Sequence, residues 1–573
     1  MTLHDTRTAS AAAPQGGPDP ITVEIVASAF RSVVDETFIA LMKSAYSTNI
    51  KERHDHSTAI CDREGRLIVQ AEMSLPIHLA SMTGLMQAVL SRYAPEQIRE
   101  GDIFVANDPH VAGGTHLPDI NYAAPIFVEG RLLGFVCNIA HHADIGGMVP
   151  GSMAGGMSEI YQEGLRIPVV RLFRAGELQQ DILDLLLLNA RIPEERRGDH
   201  FAQIAACRLG LRRVGEIAGR YGAALIEQVW ASLLSRTHAR MRAAIAGLPD
   251  GTYRFEDVMD DDGCGTSDIP LRLEITVSGD RAVFDLRGSA PQVQGNINLT
   301  RNAAKAAVAY ALRTLLDPEI ANNEGILECC ELLTEPGSIV DCIAPAPVAQ
   351  RLNTSQRLVD VIIGALAPAL PEAAVGAANG ANTTAVFSGI DPRNGKPYLY
   401  LETLGGGAGG RNDRDGKDGV QVHITNTSNL PIEAIETEYP LRVLSYGFVE
   451  DSGGAGRYRG GAGLRRVIAP VDHDCTFNGA GERFAHAPWG IFGGGAGRPG
   501  RFVLKGGAGE TVLVAKPSAV PLRRDQVIVV ETPGSGGYGP ADERSAAAVA
   551  EDALSGKYSP GFLDRNYPAQ RRG

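Results

Sequence analysis

The stretch "RLLGFVCNIAHHADIGG", residues 131–147, runs from an apolar segment straight into two histidines and an aspartate. Its first part, ending at Ala140, suits a buried strand, because a strand covered on both faces has little polar alternation. His141, His142 and Asp144 then fall in the loop that leaves the strand. A second apolar run, "DIFVAND" at 102–108, is followed by "GGTHLPDI" at 113–120, with His116 and Asp119 three apart after two glycines. Both polar segments are expected at adjacent strand ends, where a rigid scaffold holds short side chains together. With 13 histidines in 573 residues, three of them beside carboxylates in this interval make a candidate metal site.

Neutral imidazole with carboxylate suits Zn²⁺, Mn²⁺ or Fe²⁺, and the lack of nearby thiolates disfavours a Cys-rich structural zinc. Pro118 keeps His116 and Asp119 off a common helix face, so the pair must converge through a turn. The chain from His116 to His141 has room for loop, strand and loop to return to the same place. Spacing alone leaves a second reading open, in which these histidines bond backbone carbonyls in a crowded glycine loop. A further cluster, "KERHDHSTAICD" at 51–62, sets Glu52, Arg53, His54, Asp55 and His56 before a strand. Spacing alone favours a solvated turn with an Arg–carboxylate pair. The functional alternative makes Asp55 a ligand, or a general base beside a metal.

Outward from these segments the chain reads as α+β and multidomain. The tail 1–20 is small, polar and expected to be disordered. From Thr22 onward, Val26, Phe30, Val33, Val34, Phe38, Leu41 and Met42 recur at helical spacing. "STAICD" and "RLIVQA" around "REG" predict strand, turn, strand, and helices are expected over about 199–220 and 223–247. The N-terminal α/β region with the metal loops thus spans 21–248. A central α+β region, 249–400, begins near "GLPDGTY" and contains the hairpin "LRLEITVSGDRAVFDL" and the helix "NLTRNAAKAAVAYALRTLL". Residues 401–540, with "LGGGAGG", "DSGGAGRYRGGAGL" and "TPGSGGYG", are expected to be β-rich and irregular, and 541–573 a terminal helix and tail.

Several function classes fall away. The net charge is −13, and no Lys/Arg run offers a phosphate-backbone footprint, so nucleic acid is not an expected partner. No apolar run is long enough to cross a bilayer and the N-terminus has no signal-peptide h-region, so a soluble cytoplasmic protein is the expectation. The eight cysteines form no C-x-x-C pair and read as reduced, mostly buried thiols. "MDDDGCGTSD", 259–268, lacks the terminal glutamate of a Ca²⁺ loop and reads as a turn. No G-x-x-x-x-G-K-[ST] loop and no G-x-S-x-G elbow occurs, so the 67 glycines read as structural.

Together, "KERHDHSTAICDREGRLIVQAEMSLPIHLASM", "NDPHVAGGTHLPDI", "AHHADIGGMVPGSM", "FDLRGSAPQVQGNIN", "NNEGIL", "TNTSNLPIEAIETEYPLRV", "DSGGAGRYRGGAG" and "TPGSGGYGP" resemble the hydantoinase B/oxoprolinase family, in that family's order from about residue 22 to 560. The resemblance implies a divalent metal held by His116, Asp119 and His141, with Asp55 as fourth ligand or base, which reverses the reading of the second cluster from spacing. It makes His142 and Asp144 supporting catalytic groups that orient the ligands. It implies an A-type partner subunit carrying the ATP and Mg²⁺ site, and hence a hetero-oligomer acting on a small cyclic amide: a hydantoin, 5-oxoproline or a related lactam. The sequence departs from the family pattern at His56 and His110, where aromatic residues are expected, and both are placed near the pocket. An ATP-dependent ketone carboxylase subunit is the alternative activity, and a scaffold that only binds the A-type partner is the alternative class.

Overall fold

The computed structural model describes residues 19–507 and 509–571, so residues 1–18 of the expected tail lie outside the described residues. Asp19 accepts the Thr22 N–H at 3.0 Å and Pro20 takes the first helical turn, which starts helix α1 (Pro20–Ser44). The spacing of apolar residues is borne out: Val26, Phe30, Val33, Val34, Phe38 and Leu41 are all buried. The one-turn helix α2 (Thr48–Lys51) leads into β1 (His56–Asp62), β2 (Leu67–Gln70) and helix α3 (Pro76–Arg92). Then come β3 (Ile103–Ala106), β4 (Asp119–Val128), β5 (Arg131–His141), β6 (Val170–Arg174) and β7 (Glu177–Leu178). Helices α4 (Gln180–Leu188), α5 (Pro193–Tyr221) and α6 (Ala223–Ala246) complete this part.

The seven strands form one sheet in the order β2-β1-β5-β4-β3-β6-β7, with every pairing antiparallel. Helices cover both faces. Ile60 and Val136 meet the α1, α5 and α6 side, whereas Ala59, Phe135, Cys137 and Ile139 meet α3. Two-sided burial explains why β5 is apolar at successive positions despite antiparallel pairing.

One expectation is corrected here. The two polar segments do not follow neighbouring strands, because an additional strand, β4, lies between β3 and β5 and forms a hairpin with β5. Pro125 obscures it in the sequence, since proline cannot donate to a ladder. It is tolerated because the pairing of β4 with β3 stops at Ala123.

Beyond residue 248 the expected hairpin and the expected helix are both present. Strands Gly251–Asp261, Ser267–Ser278 and Arg281–Asp285 form an antiparallel meander, extended in parallel by Cys330–Leu333. "MDDDGCGTSD" is the turn of the first hairpin, and Asp262 accepts the N–H groups of Cys264 and Thr266. Helix Arg301–Leu316 is capped by the Thr300 hydroxyl. A second helix, Arg351–Leu366, is buried at all its positions between the sheet and the rest of the molecule.

The C-terminal part contains a four-stranded and a five-stranded sheet. The boundary expected at 400 falls inside strand Pro397–Leu404, which pairs along its whole length with Thr383–Ile390. The glycine clusters are close backbone crossings: a Cβ on Gly409 would lie 1.8 Å from the Gly376 carbonyl oxygen. The expected terminal helix is Ala546–Ser555, followed within the described residues by Pro560–Asn566 and Pro568–Arg571 in place of a loose tail. Among the described residues no helix is long and apolar enough to cross a membrane.

Candidate metal centre

The β4–β5 hairpin sets Asp119 directly opposite His141. Directly opposed residues share a face of the sheet, so the register alone brings two residues far apart in sequence side by side. On the other flank β1 pairs with β5, and the Asp55 carbonyl accepts the His141 N–H at 3.0 Å. His116 joins from the turn before β4. That turn is held by Asn107, whose amide donates to Leu117 O at 2.8 Å, and by Gly114 N donating to Asp108 O.

Ligand atoms of His116, Asp119 and His141 lie within 4.8 Å of one another, and all three residues are buried. His116 Nδ1 is 3.0 Å from the Ala349 carbonyl and must donate to it, which leaves the Nε2 lone pair facing the carboxylate. His116 Nε2 and Asp119 Oδ1 stand 2.9 Å apart, yet neither has a directed hydrogen-bond partner. A lone pair and a carboxylate oxygen buried this closely, with no proton between them, fit a shared cation. The second imidazole completes a nitrogen, nitrogen, oxygen donor set of the kind that Zn²⁺, Mn²⁺ or Fe²⁺ accepts.

Asp119 Oδ2 faces away from His116 and accepts from Arg351 Nη2 at 2.6 Å. Burial raises the Asp119 carboxyl, but its buried surroundings, the permanently charged Arg351 guanidinium among them, outweigh this and hold the group well below the usual range. Burial drives His141 well below the usual imidazole range, so it is neutral. Asp55 lines the same cavity but stands outside the three-residue group, and burial raises it to about 7. Its neighbour Arg53 is fully buried, bonded to Asn49 Oδ1 and Thr403 Oγ1, so the polar cluster is no solvated turn.

His142 and Asp144 are not brought to this centre. His142 Nε2 meets Gln203 on α5 at 2.9 Å, and its ring lies against His200. Asp144 accepts from Gly146 N, Gly151 N and Arg191 Nη1, and so ties down its own loop. Their side chains bond no atom of His116, Asp119 or His141: His142 follows His141 in extended chain and faces the other way, and Asp144 is engaged within its own loop and by Arg191. The departures His56 and His110 are also outside the cavity. His56 stacks on Phe38 with ring centroids 4.0 Å apart, as an aromatic residue would, and His110 Nε2 reaches Ala346 O at 2.9 Å.

Three residues at the centre escaped the sequence reading. Arg351 holds Asp119, and His78 Nε2 enters the cavity 3.8 Å from Asp119 Oδ2. The third is Glu163, fully buried, whose Oε1 accepts Val348 N and Ala349 N at 2.7 Å and thereby sets the carbonyl that His116 bonds. His78 sat inside a motif, "LPIHLASM", but nothing in its spacing marked it; the others had no local signal. The cavity, about 30 Å³, is closed by Leu75 and Ile77 from the first region, Leu352 from the second and Leu401, Thr403, Thr425 and Thr427 from the third.

The hydantoinase B/oxoprolinase family model matches residues 19–541, and the chain belongs to that family. It is 31% identical to the B-type chain of a putative D-/L-hydantoinase from a Pseudomonas species, over 94% of this chain and 93% of the relative. Among solved structures, the ATP-dependent caprolactamase of Pseudomonas jessenii superposes with a TM-score of 0.89 at 29% identity, covering 96% of each chain. An acetone carboxylase shares the fold with a TM-score of 0.88 at 20% identity, over 96% of this chain and 79% of the longer one.

Proposed function

We propose that this chain is the B-type subunit of an ATP-dependent cyclic-amide hydrolase, opening a hydantoin, 5-oxoproline or related lactam ring. ATP is handled by a separate A-type subunit. The observation that carries the reading is the buried convergence of His116, Asp119 and His141 around atoms without partners of their own. The similarity to the hydantoinase chain and to the ATP-dependent caprolactamase supports the substrate class.

An unstrained amide carbonyl is a poor electrophile; transfer of a phosphoryl group to its oxygen by the partner activates the carbon. Water then adds, the ring C–N bond breaks with the nitrogen taking a proton, and the acyl phosphate so formed loses phosphate to a second water. A divalent cation held by the three residues supplies Lewis-acid polarisation and acidifies water toward a pKa of about 7. Asp55, raised to about 7 beside that position, is suited to take the proton from the attacking water. Arg351 holds Asp119 ionised and aimed at His116. Leu75, Ile77, Leu352 and Leu401 keep bulk water out.

The test is the complex co-expressed with an A-type subunit. ATP turnover should rise with at least one of hydantoin, 5-oxoproline and caprolactam; no stimulation by any cyclic amide defeats the reading. In His116→Ala a stoichiometric divalent ion and the activity should disappear together. Full activity in a metal-free variant complex would instead support a scaffold.

A further inference from the structure

His78 has its two ring nitrogens in very different surroundings. Nδ1 is 2.8 Å from Ser57 Oγ, and the same Oγ accepts the Leu75 N–H at 2.9 Å. A hydroxyl has one proton, and Ser57, fully buried, has no other acceptor among the described residues. Since Leu75 already donates to Oγ, the Ser57 proton goes to His78 Nδ1. That bond makes Nδ1 an acceptor, and a neutral imidazole then has its own proton on Nε2.

Nε2 points into the cavity. It stands 3.9 Å from Asp55 Oδ1 and 3.8 Å from Asp119 Oδ2, too far to donate to either. Asp119 Oδ2 is in any case engaged by Arg351. The histidine therefore offers an N–H, not a lone pair, to the space beside the three converging residues. A group so arranged cannot ligate a cation through that nitrogen, but it can donate to an oxygen atom of a bound substrate.

We propose that His78 is the hydrogen-bond donor for the substrate oxygen at this centre, with its proton fixed on Nε2 by the Ser57 hydroxyl and the Leu75 amide. This rests on the cyclic-amide reading for the identity of that oxygen, the carbonyl oxygen of the acyl phosphate left by ring opening, on which negative charge builds as water adds. Ser57 is a positioning residue, acting through His78.

Three variants of the full chain, each in complex with the A-type subunit, test this. His78→Asn keeps a partner for Ser57 but removes the donor from the cavity. It should lower kcat by about 10²–10³-fold, the usual cost of one oxyanion donor, with KM and metal content near wild type. His78→Gln restores an amide N–H at the Nε2 position and should recover part of that loss. Ser57→Ala should give a smaller loss. An unchanged kcat in His78→Asn overturns the proposal, as does loss of metal in step with activity, which would make His78 a ligand. Equal loss in Asn and Gln with a lowered Tm overturns it in favour of a structural role. A second readout does not depend on the reaction. In chain labelled with ¹⁵N-histidine, the signals absent from His78→Asn should be those of a neutral Nε2–H tautomer. If no cyclic amide is turned over, the functional reading fails while this spectrum still decides the donor: an Nδ1–H tautomer overturns it.

Discussion

His141 and His142 are adjacent in sequence and end on different sides of the sheet, one in the cavity and the other against Gln203 and His200. Strand geometry makes that separation, and no feature of either residue by itself does. Glu163 shows the same dependence on surroundings. It is buried and raised to about 8 from 4.5, chiefly by burial, against the two backbone amides it accepts. A carboxyl raised on folding binds its proton more tightly in the native state. Its stabilising contribution is complete below pH 4.5 and declines as pH rises through about 8. The Tm difference between wild type and Glu163→Gln should therefore shift toward the variant from about pH 4.5 to about 8 and level off above. A difference that stays flat across that range would show that Glu163 is not protonated in the native state.

At the scale of elements, the first of the two glycines before His116 answers to helix α3, and the second to the Asn107 backbone. The Gly113 backbone, at φ +73°, lies directly against Gly84 in that helix. A Cβ on Gly84 would sit 2.2 Å from the Gly113 carbonyl oxygen, and a Cβ on Gly113 would sit 2.2 Å from the Gly84 carbonyl carbon. Gly84 is thus the position where a helix is allowed to touch a loop. Gly84→Ala must push the metal-site turn away from α3 at a cost of about 1–3 kcal/mol. The expected outcome is a lower Tm together with weaker retention of metal on dialysis against a chelator. Retention equal to wild type would mean that the turn is held by Asn107 and Asp108 alone.

For the whole molecule, the centre belongs to no single region. His116, Asp119, His141, His78 and Asp55 come from the first, but Ala349 and Arg351 come from the second, and Leu401, Thr403, Thr425 and Thr427 from the third. Arg53 stitches the first region to strand Pro397–Leu404. A chain ending at residue 248 keeps every expected ligand, yet loses the carbonyl that fixes the His116 tautomer and the guanidinium that holds Asp119. Such a fragment should bind less than one equivalent of Zn²⁺ or Mn²⁺ where the full chain binds one, as measured by metal analysis after gel filtration. Stoichiometric binding by the fragment would show that the hairpin suffices.

The periodic features were legible in the chain itself. Helix α1, the two helices ending near 221 and 246, and the hairpin turning at Gly279 follow from local spacing, because an amphipathic face must repeat with the period of its own backbone. The candidate ligands were legible too, as residue types with lone pairs beside glycines. What local pattern could not give was β4, masked by Pro125, and helix Arg351–Leu366, whose first half "RLNTSQR" reads as surface and is wholly buried. Nor could it give the partners of the site. Arg351 reaches Asp119, and Glu163 reaches Ala349, only because separate regions pack together. Hydrogen-bond direction, tautomer and carboxylate charge in a dry cavity are set by atoms within about 3–4 Å in space. Proximity of that kind is a property of the folded chain, and neighbours along the sequence do not carry it.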